Sequence, residues 1–201
     1  MEALTLDDLL PLDELVRRRR ELFAAHARYL DRYRRVRVGP RLTLLFENRQ
    51  TLWFRVQEVL RVARLSEAAR VREELELYNR LLPGRDLLQA ALLLEVADEA
   101  RLTEELAAWQ GLQGEHLALR LGEVSLPATL VTCRPEDRCV GAAHWVQFPV
   151  PVTARPLLAD FHKPAHFECH LPAYDHRSPP LGDELRQSLL DDLQLSDRDG
   201  S

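Results

Sequence analysis

A chain of 201 residues, 46% hydrophobic and 29% charged, is long enough to bury one sizeable core. Its net charge of -5 argues against a general nucleic-acid binder, which is ordinarily basic. No apolar run approaches the roughly 20 residues of a membrane span, and the opening MEALTLDDLLPLDELV places acids where a secretory signal needs positive charge, so a cytoplasmic location is expected.

Leu6–Tyr33 is predicted as helix, with a break near Pro11, because Leu12, Leu15, Leu22 and Ala25 recur near helical spacing. The run Arg17–Arg20 reads as a solvated face or as a surface for an anionic partner. Arg35–Val38 alternates polar and apolar, and Gly39-Pro40 then punctuates the chain. Leu42–Phe46 is open to two readings. It is a short strand followed by a helix from about Asn48, or part of one long helix from Pro40. Leu52–Arg64 and Glu67–Leu81 are predicted helices, the first carrying a stripe of Leu52, Val56, Val59, Leu60 and Ala63.

Leu87–Ala97 is predicted as a buried strand and Glu99–Trp109 as a helix. His116–Leu121, Val124–Thr132 and Ala142–Val150 look like strands separated by turn signals at Gly122 and Arg134–Arg138. A short helix within Pro151–Phe161, an edge strand at Ala165–Leu171 and a final amphipathic helix at Leu181–Leu193 complete the series. The class expected is α+β, with N-terminal helices, then a mostly antiparallel sheet, then a C-terminal helix. Residues 1–195 would form a single domain and residues 196–201 a disordered tail.

Three cysteines without a paired C-x-x-C suit reduced thiols, with a Cys133–Cys139 bridge as the alternative. The chain has no Gly-rich phosphate loop, no G-x-S-x-G and no H-E-x-x-H, which weakens the common hydrolase readings.

The segment Gly39–Leu65 threads Glu47, Asn48, Arg49, Gln57, Glu58 and Arg61 through an apolar background. Buried charges need partners, so these residues must pair, reach water or face a ligand. Glu47 and Glu58 would lie roughly 16 Å apart on one unbroken helix, too far for one site. The strand-then-helix reading would let them share one. Otherwise Glu58 pairs with Arg61 or Arg55 on its own helix. Glu74, Tyr78 and Asn79 form a second group, in which the phenol would orient the carboxylate or the residues would simply end a helix. Five of seven histidines fall between His144 and His176. On a strand, His166, Glu168 and His170 share one side, and two imidazoles with a carboxylate are ligand types of a non-haem iron site. His144 reads as a half-buried strand histidine or a proton-transfer group.

The motifs F-E-N-R-x-T at Phe46–Thr51, Q-E-x-L-R at Gln57–Arg61, E-L-x-x-Y-N at Glu74–Asn79 and P-A-Y-x-H at Pro172–His176 follow the start at Leu4–Leu10 and Gly39-Pro40. Together they resemble an uncharacterised bacterial family known as a domain of unknown function. Members often have Met where Val59 stands and an acid where Arg177 stands. The resemblance implies genes neighbouring a rubrerythrin-like di-iron protein and an iron–sulfur oxidoreductase, hence a redox accessory role with those two proteins as partners. It supplies no catalytic residue. It adds Tyr174 and His176 to the candidate set of Glu47, Arg49, Gln57, Glu58, Arg61, Glu74, Tyr78, Asn79 and His144. Three functions compete: a redox accessory, an enzyme or metal protein using this set, and a purely structural polar network.

Overall fold

The structure is a computed structural model and describes residues 1–96, 100, 102–107, 109, 111–131 and 143–198. After a 3-10 turn at Leu6–Asp8, the helix α1 spans Leu12–Tyr33 and ends at Arg34, whose N–H still donates to the Leu30 carbonyl. The strands β1 (Arg35–Val38) and β2 (Leu42–Phe46) form a hairpin. Gly39 makes its turn at φ +71, and a Cβ there would stand 2.5 Å from His176 Cγ. Then follow the helices α2 (Arg49–Ala63) and α3 (Ala68–Asn79), so strand-then-helix is the outcome at Leu42–Phe46.

The remaining order is β3 (Leu87–Leu94), α4 (Leu102–Ala107), β4 (Leu117–Leu121), β5 (Val124–Pro127), β6 (Thr129–Leu130) and β7 (Ala143–Pro149). The chain then forms α5 (Arg155–Ala159), β8 (Ala165–Leu171), β9 (Tyr174–Arg177) and α6 (Asp183–Arg198). The α+β class is as expected. The strands, however, divide between a five-stranded sheet, β1-β2-β3-β7-β6, and a four-stranded sheet, β5-β4-β8-β9, whose pairings are all antiparallel. Two strands also precede α2 and α3, at the alternating Arg35–Val38 and at Leu42–Phe46, where a strand is one of the two readings.

The strand β8 is interior rather than an edge, because the four-residue β9 pairs along its outer side. So short a strand carries almost no periodic signal of its own. The last helix runs to Arg198, into the segment expected as a tail, and 199–201 lie outside the described residues. Cys133, Cys139 and the Arg134–Arg138 turn also lie outside them. Cys169 is a free buried thiol that desolvation pushes up to about 11, so it stays protonated and unreactive.

Alternation explains the main core. Val36, Val38, Leu42, Leu44 and Phe46 turn one way from β1 and β2, toward Phe148 of β7 and Phe167 of β8. These aromatic rings meet at 4.8–6.0 Å between centroids. Each such side chain stabilises the fold by about 1.5–3 kcal/mol through burial. Leu185, Leu189, Leu190 and Leu193 of α6 join the same cluster. A second, smaller core gathers Leu4, Leu52, Val56, Leu60, Val71 and Leu75 where the N-terminal segment crosses α2 and α3.

Candidate functional site

The opposite face of β2 builds the candidate site. Thr43 and Leu45 alternate away from the main core, and Leu45 pairs with Ala91, which pairs in turn with Trp145. Glu47 continues this side. Its N–H donates to the Gln89 carbonyl at 2.8 Å, extending the β2–β3 ladder one residue past the strand. At Asn48 the backbone leaves the sheet and α2 begins. The Asn48 side chain accepts from the Thr51 N–H at 3.1 Å, and Thr51 Oγ1 accepts from the Asn48 N–H at 2.9 Å. The F-E-N-R-x-T motif is thus a strand-to-helix junction whose cap fixes Glu47 under the first turns of α2.

A cavity of about 460 Å³ lies between α1, α2 and this sheet face. Leu30, Leu45, Phe54 and Val59 supply apolar wall, and His26, Glu47, Thr51, Arg55 and Glu58 supply polar groups. Glu47 is 2% exposed; it accepts from Thr51 Oγ1 and is paired with Arg55. Burial raises its pKa, and Arg55 and Thr51 pull the other way without cancelling that effect. The Arg55 guanidinium also lies 5.2 Å from the centroid of the Trp145 ring, which holds it over the sheet.

His26 stacks flat on Phe54, with ring centroids 4.0 Å apart and planes 14° from parallel. Burial, helped by the nearby Arg55 charge, lowers its pKa to about 4. The imidazole is therefore neutral at pH 7, and no described residue hydrogen-bonds to it. At the far end Glu58 takes two forked guanidinium groups. Arg19 donates Nε to Oε1 at 3.1 Å and Nη2 to Oε2 at 2.9 Å, and Arg61 donates the same pair at 3.2 and 3.1 Å. These donors lower the Glu58 pKa, Arg19 most. Glu47 and Glu58 share one pocket, as a break between them requires, and Glu58 also makes the expected pair with Arg61.

Beside the pocket lies a buried ion pair, Arg34 with Asp192, only 2% and 3% exposed. Arg34 further donates to Ser188 Oγ at 2.6 Å and to the Tyr29 hydroxyl at 3.0 Å, and Asn48 Nδ2 donates to the same hydroxyl at 2.9 Å. This network ties α1 and α6 to the cap of α2. Burial still raises the Asp192 pKa.

The other candidates go elsewhere. Arg49 pairs with Asp8 at 2.6 Å, and Asn79 brackets the Leu4 backbone, accepting at 2.8 Å and donating at 2.9 Å. Both pin the N-terminal segment. Gln57 faces that segment from the side of α2 away from Glu47. Glu74 and Tyr78 do not bond to each other; Tyr78 packs against the smaller core. His144 is buried on the same side of β7 as the core residues Val146 and Phe148, opposite Trp145. Tyr174 donates to the Val38 carbonyl at 2.6 Å and accepts from the N–H groups of Arg41 and Leu42 at 2.9 and 3.2 Å. With the His176 ring 4.3 Å away, it pegs β9 to the β1–β2 turn.

His166, Glu168 and His170 share a side of β8, but they do not form a metal site. His166 Nδ1 lies 2.9 Å from the Ser178 carbonyl, and His170 sits between Asp175 at 2.6 Å and Glu168 at 3.3 Å. Among the described residues no group of three or more His, Cys, Asp or Glu is placed to hold a metal ion. Sequence reasoning missed His26, and it singled out Arg19 only as part of the Arg17–Arg20 run, without its partner Glu58. The only sequence signal for His26 was that it stands apart from the C-terminal histidines, between Phe23 and Leu30 of α1.

The chain belongs to the DUF3501 family, described as proteins of unknown function, whose model matches residues 3–193. It is similar to a crystal structure of a novel protein of unknown function from Burkholderia pseudomallei K96243. The TM-score is 0.84 at 26% identity, covering 96% of this chain and 100% of that one. No curated protein matches it significantly. Among the described residues no helix is long and apolar enough to cross a membrane.

Proposed function

We propose that the protein binds a small, mostly apolar molecule in the α1–α2 pocket and acts there as an accessory to a cytoplasmic redox system. The binding half is carried by one observation: a buried Glu47, paired with a partly exposed Arg55, shares an apolar-walled cavity with a neutral imidazole, His26, to which no described residue hydrogen-bonds. His26 supplies a proton acceptor at pH 7, and Glu47 supplies a second acceptor beside it. A ligand with an exchangeable proton and an apolar body fits both.

The redox half rests on the gene neighbourhood that the family resemblance implies, with a rubrerythrin-like protein and an iron–sulfur oxidoreductase as partners. Enzymatic proton transfer is a second reading, favoured by the opposite shifts of Glu47 and His26, which keep both groups uncharged more readily than in water.

Anaerobic purification from the native host tests both halves. The expected result is a stoichiometric small molecule in the native mass spectrum and co-elution with the two iron proteins. Native protein that carries no molecule would remove the binding half. Absence of both iron proteins from native, anaerobic preparations would remove the redox half.

A further inference from the structure

The Q-E-x-L-R stretch sends its glutamine where the pocket above does not reach. Gln57 is 1% exposed, and its Nε2 has no hydrogen-bond partner among the described residues. A buried donor left unmade costs about 1–3 kcal/mol, so a side chain in this position calls for a partner. It lines a second cavity of about 320 Å³, on the side of α2 away from Glu47. The walls include Leu9, Leu12 and Leu15 from the N-terminal segment and α1, with Leu60 from α2 and Leu65 from the connection after it. Ser66 adds a hydroxyl at the rim, and no lining residue is charged.

The N-terminal segment that closes this cavity is tied down. Trp53 Nε1 donates to the Asp8 carbonyl at 2.8 Å, Arg49 pairs with Asp8, and Asn79 holds Leu4. Three candidate residues, Arg49, Gln57 and Asn79, therefore serve one structure: a strap and the cavity beneath it.

We propose that this cavity binds a neutral, medium-chain aliphatic molecule bearing one hydroxyl or carbonyl oxygen, which accepts from Gln57 Nε2. The absence of charge in the lining selects a neutral ligand, because an ion there would be desolvated without a counter-charge. The size selects a medium chain: at about 30 Å³ per water in the liquid, the space equals roughly ten waters. Turning the amide over would present its carbonyl instead, so a ligand hydroxyl can be met as donor or acceptor.

The probes are octan-1-ol, octanoate as its charged counterpart, and 1-chloroheptane as an apolar molecule of similar length. Each is titrated into full-length protein carrying ¹³C-labelled leucine methyls. Octan-1-ol is expected to shift Leu9, Leu12, Leu60 and Leu65 saturably, with Leu30 and Leu45 of the other pocket unmoved. Octanoate is expected to bind at least tenfold more weakly. Gln57→Leu removes the unpaired amide without changing the surrounding shape much, and Gln57→Met is the second variant should it fail to fold. Either is expected to weaken octan-1-ol about five- to tenfold, as loss of one hydrogen bond does, and not 1-chloroheptane. No saturable shift, equal binding of alcohol and anion, or equal change for both neutral probes would overturn the proposal. These outcomes leave the α1–α2 pocket untouched, since its own leucines report separately.

Discussion

Glu47 and Asp192 are two nearly inaccessible carboxylates, each with an arginine and each raised in pKa by burial, yet their surroundings differ. Asp192 is enclosed by Arg34 and Asn48, and Ser188 and Tyr29 take up the other donors of that arginine. Glu47 is held by Thr51 and Arg55, and it also lines a cavity with a neutral histidine. A buried charge with every neighbour satisfied fixes packing. A buried charge left facing space, beside a second titratable group, is available to a ligand.

Breaking the closed network should cost most. Asp192→Ala leaves Arg34 buried and unpaired, and it is expected to destabilise the fold by about 3–5 kcal/mol in denaturant unfolding. A loss under 1 kcal/mol would mean that Arg34 reaches water. Asn48→Ala removes the cap that joins the two regions. It should cost about 0.5–2 kcal/mol by the same measurement, and its ligand retention should fall because Glu47 loses its anchor.

The open region should show itself through pH. His26 has a folded pKa of about 4 against an ordinary 6.5, so both states are neutral above 6.5 and the folded state resists protonation below it. His26 thus lowers stability progressively as pH falls from 6.5 to 4. Glu47, raised in the folded state, acts in the other direction: its cost grows as pH rises above its ordinary 4.5. Melting temperatures of His26→Gln should fall less than those of the native protein between pH 6.5 and 4, and parallel curves would contradict a desolvated imidazole. Arg19→Ala should have the smallest effect, no more than about 1 kcal/mol, because Arg19 is substantially exposed and its partner keeps Arg61.

Local chemistry was legible where neighbours in sequence are neighbours in space. The 3.6-residue stripe of α2, the i,i+3 Glu58–Arg61 pair and the alternation of Arg35–Val38 all appear in the structure. The polar residues of Gly39–Leu65 do not gather into one cluster; they sort to different faces. Glu47 and Glu58 go to one cavity, while Arg49 and Gln57 go to the strap. A helix turns one residue by about 100°, so Gln57 and Glu58 diverge although adjacent. The partners of His26, Arg19 and Arg34 were not legible, because Phe54, Glu58 and Asp192 lie on other helices and only tertiary packing brings them together. Tyr174 and His176 were grouped with Glu47 by motif, yet their place is set by a long-range fit to Gly39 at the other end of the molecule's hairpin.

The comparison of the two carboxylates is tested most directly by Glu47→Gln, read as ligand retention and melting temperature together. The account predicts that the molecule carried by the native protein is lost while the melting temperature holds or rises, since a neutral amide is easier to bury than an acid. A drop of several degrees with the molecule still bound would make Glu47 another Asp192, a structural charge and no part of a site.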